Sequence, residues 1–273
     1  MDLDTTLARL AVDPAGSVDV AEIALHLARD EYPELDVEAY LSELAGMGHE
    51  ARKYVRGDLA ARVAGLCRYL FHEMGFRGNV PDYYDPRNSY LNQVLDRRTG
   101  IPIALSVVAM AVGGRAGLAV VGVGLPGHFI AKAVDGARQV LFDPFHGGRQ
   151  LTAEDCGRLV EQVTAQPFQA TAANLEAIPL GLLVQRMLAN LKAVYWRSGD
   201  FARAARVIDR LRQLAPGDVR QRRDLGVSLL QAGLAGRAID HLAAYLDATP
   251  DADDAAAVRQ LLDRARAEVC RWN

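Results

Sequence analysis

The stretch from Ile101 to Pro144, IPIALSVVAMAVGGRAGLAVVGVGLPGHFIAKAVDGARQVLFDP, decides the fold class. Residues Ile101–Ala116 are almost all apolar or small, and Pro102 falls where a helix's first turn tolerates proline, because that N–H has no partner within the helix. The pattern predicts a buried helix. Three strand candidates follow, Ala119–Val123, His128–Val134 and Gln139–Phe142, separated by Leu125-Pro126-Gly127 and Asp135-Gly136. Asp-Gly between apolar runs is a hairpin signal because both residues accept positive φ. A buried helix leading into a short antiparallel sheet makes this region α+β.

Upstream, the first 75 residues read as helical. Asp19 precedes a run holding Ile23, Leu25 and Leu27, and Pro33 ends it; Asp36 is placed to cap a second helix holding Leu41, Leu44 and Met47. A third helix is expected over Leu59–Met74, with Val63, Leu66, Cys67, Leu70 and Phe71 on one face and Gly75 as its stop. Residues 76–100 then mix turn dipeptides with Tyr83, Tyr84, Tyr90 and Leu91, large groups that need cover. The expectation is an ordered loop packed on the core, a kind of segment that tends to carry function.

Downstream the chain is helical and repetitive. Leu191, Gly199, Ala204 and Pro216 recur 34 positions later as Leu225, Gly233, Ala238 and Pro250. That period, with small residues where helices touch and proline after the second helix, matches the tetratricopeptide pattern. Val258–Val269 is expected to cap the array, since a terminal repeat must cover its neighbour. The domain reading is 1–178, helical over 1–75 and core over 76–178, followed by 179–273 as the repeat region.

With half of its 273 residues apolar and a quarter charged, the chain has ample material for a core, which excludes a disordered or disulfide-stapled protein. The net charge of −3 implies no general affinity for nucleic acid or anionic lipid. Residues 1–178 carry 16 basic and 23 acidic groups, residues 179–273 carry 15 and 11, so the repeat region is the basic part. Cys67, Cys156 and Cys270 are too scattered for a disulfide framework. Met1-Asp2-Leu3-Asp4 lacks the features of a signal peptide, and Ile101–Val112 is too short to span a bilayer, so a cytoplasmic location is expected.

The candidate chemistry lies between Asp85 and Arg149. A helix N-terminus stabilises negative charge, a His opening a neighbouring strand can act as base, and an Asp ending the next strand can orient it. His128 and Asp143 occupy those places; a hydrogen bond that merely bridges two strands is the plain alternative. Asn88, Asn92, Arg97 and Arg98 precede the buried helix and suit either anion binding or satisfaction of their own loop. His146 belongs either to the same cleft or to an exposed loop. A metal site from His128, Asp143 and His146 is chemically allowed, but no His-Glu-x-x-His or paired-cysteine spacing is present, so neither metal nor cofactor is expected.

Four segments carry a family resemblance: YYDPRNSYLNQVL (83–95), RRTGIPIALS (97–106), GLPGHF (124–129) and DPFHGG (143–148). Together they resemble the SirB1-like branch of the transglutaminase-like superfamily, and the repeat tail fits that branch. The resemblance implies a papain-like α+β core in which a Cys opens the central helix while His and Asp sit on neighbouring strands. His128 and Asp143 match the last two. The Cys position falls on Pro102 or its neighbours Ile101 and Ile103, none of them nucleophilic. Ser106, one turn into the helix, is expected to bond back to its own backbone.

Two functions fit. One is a binding module, a transglutaminase-like core that has lost its nucleophile, with repeat helices offering a surface to a peptide or protein, the Arg-rich tail favouring an acidic one. The other is a non-classical hydrolase or amide-bond enzyme working through His128 and Asp143.

Overall fold

Aspartate starts the early helices. The side chains of Asp2, Asp19, Asp36 and Asp58 accept hydrogen bonds from first-turn N–H groups of α1 (Leu3–Val12), α2 (Val20–Ala28), α3 (Val37–Ala51) and α4 (Leu59–Cys67). The computed structural model describes residues 2–16 and 18–271 and forms two units. One is residues 17–184; the other joins the segment ending at Gly16 to Gln185 and all that follows. This division falls inside a helix, and α1, which the sequence reading placed in 1–178, groups with the repeat helices instead. Helix α1 packs on a repeat helix, and Arg210 pairs with Asp4.

In the first unit, the helix expected over Leu59–Met74 changes character at its midpoint. After Cys67 the turns widen into a π-helix, Arg68–Glu73, so that Met74 N–H reaches back to the Tyr69 carbonyl. Strand β1 (Arg77–Gly78) pairs in parallel with β2 (Thr99–Gly100), either side of helix α5 (Leu91–Arg97). Helix α6 (Pro102–Arg115) is buried along nearly its whole length, as its sequence requires, with Pro102 at its first helical position.

Strands β3 (Val120–Leu125), β4 (His128–Asp135), β5 (Arg138–Asp143) and β6 (Arg149–Leu151) form an antiparallel sheet in sequential order. Helix α6 packs against β3 and β4. Helix α7 (Ala153–Thr164), opened by a Thr152–Asp155 capping box, adds Cys156, Leu159 and Val160 to a cluster with Val123, Ile130 and Leu141.

Helix α8 (Leu180–Ser198) leads into the second unit, with α9 (Phe201–Leu214), α10 (Arg220–Gln231), α11 (Ala235–Ala248) and α12 (Ala255–Cys270). The repeat logic is visible in pairs. Gly199 and Gly233, at φ +73° and +77°, turn the chain between the helices of each hairpin, and Ala204 and Ala238 are fully buried. Trp196 Nε1–H donates to Ser228 Oγ at 2.8 Å, and Lys192 pairs with Asp224, tying α8 to α10. Helix α12 packs on α11, as a capping helix should. No helix among the described residues is long and apolar enough to cross a membrane.

Candidate functional site

Two turns put the imidazole and the carboxylate together. Pro126-Gly127 closes the β3–β4 hairpin, so His128 is the first residue of β4, paired with Leu125. The pairing of Lys132 with Leu141 sets a register in which His128 and Asp143, each an even step away, share one face of the sheet. His128 Nε2–H donates to Asp143 Oδ2 at 3.0 Å, with both side chains buried.

Asp143 also ends β5 and starts the 3₁₀ turn Pro144–His146. Its Oδ1 accepts the backbone N–H groups of Phe145 (2.9 Å) and His146 (3.3 Å). The same turn swings His146 back, so that its Nδ1–H donates to Asp143 Oδ2 at 2.7 Å. An ionised carboxylate is only an acceptor, so both rings must present N–H to it. Burial alone would raise the Asp143 pKa; the hydrogen bonds from His128 and His146 outweigh that and hold it well below the usual carboxylate range. The bond from Asp143 in turn raises the pKa of His146, whose side chain is 49% exposed.

His128 is covered by rings. Phe145 stands edge-on to it at 6.1 Å, Tyr83 edge-on to Phe145 at 6.0 Å, and Tyr84 edge-on to Tyr83 at 5.3 Å. His146 stacks over His128 at 5.8 Å. The turn bearing Phe145 and His146 packs against α6. His128, Asp143 and His146 each offer one atom able to ligate a metal, and these three atoms lie within 4.8 Å of one another.

The other polar candidates form separate networks. Asn88 is fully buried; its amide donates to the carbonyls of Asp82 (2.7 Å) and Tyr83 (3.3 Å) while its oxygen accepts from Asn79 (3.0 Å) and Arg97 (3.4 Å). Arg97 also reaches Asp85, a buried carboxylate that sequence reasoning did not single out and that Arg87 clasps as well. Arg98 pairs with Glu43 at 2.9 Å and lies over the Phe76 ring. Asn92 is buried, with its Oδ1 lacking a hydrogen-bond partner among the described residues. The backbone carbonyl of Asn88 accepts the Ile101 N–H at 3.1 Å, so this loop holds the head of α6.

Pro102 is buried at that head, and Ser106 Oγ–H donates to the Pro102 carbonyl at 2.9 Å. Cys67 lies against Gly148, where an added Cβ would come within 2.6 Å of the sulfur. Burial pushes the Cys67 thiol up to about 12, and burial followed by Asp155 and Asp143 pushes Cys156 up to about 11.

Residues 38–189 match the transglutaminase-like superfamily, and this stretch contains α6, His128 and Asp143. The chain belongs to the transglutaminase-like superfamily. In this transglutaminase-like protein, residues 191–263 match the tetratricopeptide repeat. The chain is 37% identical over 245 residues to a UPF0162 protein of Xylella fastidiosa, covering 86% of each chain. A UPF0162 protein of Vibrio cholerae is 28% identical over 222 residues, 77% of this chain and 78% of its own. Human F-box only protein 21 is 32% identical over 165 residues, 57% of this chain but 25% of its own length. No solved structure matches the chain.

The repeat unit of this transglutaminase-like protein contains a second candidate site. A cavity of about 650 Å³ between α9, α10 and α11 is lined by Arg203, Arg206, Arg212 and Arg237 around Leu225, Leu229 and Leu234, with Asp200 and Asp209 pairing Arg203 and Arg212. The sequence marks this region as Arg-rich but does not pick out Arg212, Arg237 or His241 as neighbours. The signal was there for one of them: Arg237 lies 34 positions after Arg203, the same place in the next repeat.

Proposed function

We propose that the chain is a binding module, a transglutaminase-like core without its acyl-transfer nucleophile joined to a tetratricopeptide groove that takes an acidic peptide. Tetratricopeptide repeats generally mediate protein–protein contact, and the core supplies the reason to favour binding over catalysis. The observation that carries the reading is Pro102 at the head of α6. A pyrrolidine ring has no group to attack a carbonyl, and the hydroxyl of Ser106 is engaged by the backbone of its own helix. Cys67 and Cys156, with pKa values near 12 and 11, have almost no thiolate at neutral pH.

The groove commits to an acidic segment with apolar side chains by charge: four guanidiniums against two carboxylates line an apolar floor. A fluorescein-labelled peptide alternating Glu and Leu is expected to bind the intact chain in a polarisation assay, more weakly as salt rises. Arg212→Glu with Arg237→Glu is expected to weaken it at least tenfold, about 1.4 kcal/mol. Equal binding by a Lys/Leu peptide, or no loss in the double variant, would refute the groove assignment. In native protein, iodoacetamide is expected to modify the exposed Cys270 while sparing Cys67 and Cys156; rapid modification of either buried thiol would restore a nucleophile to the core.

The His128–Asp143 bond favours a second reading. An imidazole oriented by a buried carboxylate is the arrangement a hydrolase or amide-bond enzyme would use to activate water or a substrate amine. Amide or ester turnover by the native chain, lost in both His128→Ala and Asp143→Ala, would select this reading over the first.

A further inference from the structure

We propose that His128 Nε2, Asp143 Oδ2 and His146 Nδ1 form a three-ligand site for a divalent transition-metal ion of the zinc class. This stands apart from the peptide groove and holds whether or not the groove binds. The sequence has no metal motif because the ligands come from three different local structures: the first residue of β4, the last of β5, and the end of the 3₁₀ turn that follows.

The geometry is close to what an ion needs. A tetrahedral ion with bonds of about 2.0–2.2 Å separates its ligand atoms by roughly 3.3–3.6 Å. Here the separations from Asp143 Oδ2 are 3.0 Å to His128 Nε2 and 2.7 Å to His146 Nδ1, and one ligating atom of each residue lies within 4.8 Å of the other two. Opening the two hydrogen-bonded edges, the first by about 0.3–0.6 Å and the second by about 0.6–0.9 Å, would admit the ion in place of the two bridging protons. Each neutral imidazole then moves its proton to its opposite ring nitrogen, His128 to Nδ1 and His146 to Nε2, and offers the freed lone pair. The carboxylate changes from hydrogen-bond acceptor to ligand without gaining or losing a proton.

The site is also held in place. His128 and Asp143 are 6% and 1% exposed, fixed by strand pairing. Asp143 Oδ1 is held by two backbone N–H groups, which aims Oδ2 at the two rings; such outer contacts orient metal ligands. Two nitrogens and one oxygen suit zinc, cobalt or nickel better than calcium or magnesium, which prefer all-oxygen shells. Three protein ligands leave a fourth position, and half-exposed His146 brings solvent to that side of the site. Arg149 opposes a cation here through its charge near His146, so direct bonds to the ligands must supply the affinity.

Cobalt(II) added to the intact, tag-free, metal-stripped chain is expected to give the visible absorption of a four-coordinate ion, saturating at one equivalent and bleached by zinc. His146→Ala removes a half-exposed ligand without opening the core and is expected to weaken binding more than about a hundredfold, beyond the loss typical of disturbing an outer contact. His72→Ala, at an exposed histidine outside the cluster, is expected to bind like the native chain. No stoichiometric cobalt spectrum from the native chain, or affinity in His146→Ala within threefold of native, would overturn the proposal. Circular dichroism of both variants checks that a loss is not unfolding.

Discussion

Asp143 in the core unit and Asp209 in the repeat unit are both aspartates holding cationic or N–H groups, and the contrast between them shows how burial sets the worth of a polar contact. Asp143 is 1% exposed and accepts from two imidazoles and two backbone amides. Asp209 is 46% exposed and pairs with Arg212 one turn along its own helix. Water can replace the partners of Asp209 almost as well as Arg212 does. Asp143 itself lies out of water's reach, so removing it leaves the buried His128 N–H with no acceptor. The core cluster is therefore a structural keystone as well as a candidate site, whereas the groove's exposed ion pairs contribute little to stability.

Removing either carboxylate measures what its burial is worth. Asp143→Ala is expected to destabilise the core unit by about 3–5 kcal/mol, the usual loss on breaking a buried pair from one side. Asp209→Ala is expected to cost the repeat unit at most about 1 kcal/mol. Amide hydrogen exchange read peptide by peptide separates the units, with accelerated exchange in β4 and β5 for the first variant and little change in α9 for the second. Similar losses in both variants would mean that burial is not what distinguishes them.

A smaller effect sharpens the same contrast through glycine. Gly148 and Gly233 both have positive φ, +76° and +77°. A Cβ at Gly148 would lie 2.6 Å from the Cys67 sulfur and from Phe71, while one at Gly233 would meet nothing within 4 Å. Gly233→Ala is expected to cost only the left-handed backbone penalty, about 1–2 kcal/mol. Gly148→Ala adds overpacking of at least about 1 kcal/mol and is expected to lie above it, near 2–3 kcal/mol. Chemical denaturation with the same regional exchange readout checks the order; Gly233→Ala as the costlier variant would reverse it.

What could be read from the sequence follows from how local each signal is. The buried helix, the three main strands and the 34-residue repeat are written in composition and period over short windows, and their elements are where those windows put them. His128 and Asp143 were legible because turn residues flank each of them, Pro126-Gly127 and Pro144. The convergence of His146 on the same oxygen was not, since it depends on a 3₁₀ turn followed by two glycines folding the ring backwards. The docking of α1 onto α9 was illegible for a similar reason: Asp4 and Arg210 sit at opposite ends of the chain, and no local pattern links them. The widening of the helix after Cys67 left the apolar face intact, so periodicity gave no warning of it. For Asn88, Arg97 and Arg98 the residue types allowed two roles, and only their bonding partners distinguish a loop that holds itself from one that holds an anion.

The finest test uses two histidines with opposite signs. His146 has its pKa raised by the bond to Asp143, against its partial burial; His241 in the groove has its pKa lowered by burial and then by Arg212. Both start from an unfolded value near 6.5. The folded core binds protons at His146 more tightly than the unfolded chain does, so that stabilisation is complete below about pH 6.5 and is lost as pH rises through the raised folded value. The folded repeat unit binds protons at His241 less tightly, so its contribution is complete above about pH 6.5 and is lost as pH falls through the lowered folded value. In chelator, and between about pH 5 and 8, exchange protection around β5 is expected to weaken towards the alkaline end while protection around α11 weakens towards the acid end. His146→Gln should flatten the first slope and leave the second, and His241→Gln the reverse. Because His146 is half exposed and His241 partly so, each slope is expected to be under about 1 kcal/mol across the window. Slopes of the same sign in both regions would show that the two sites do not differ in the way their surroundings require.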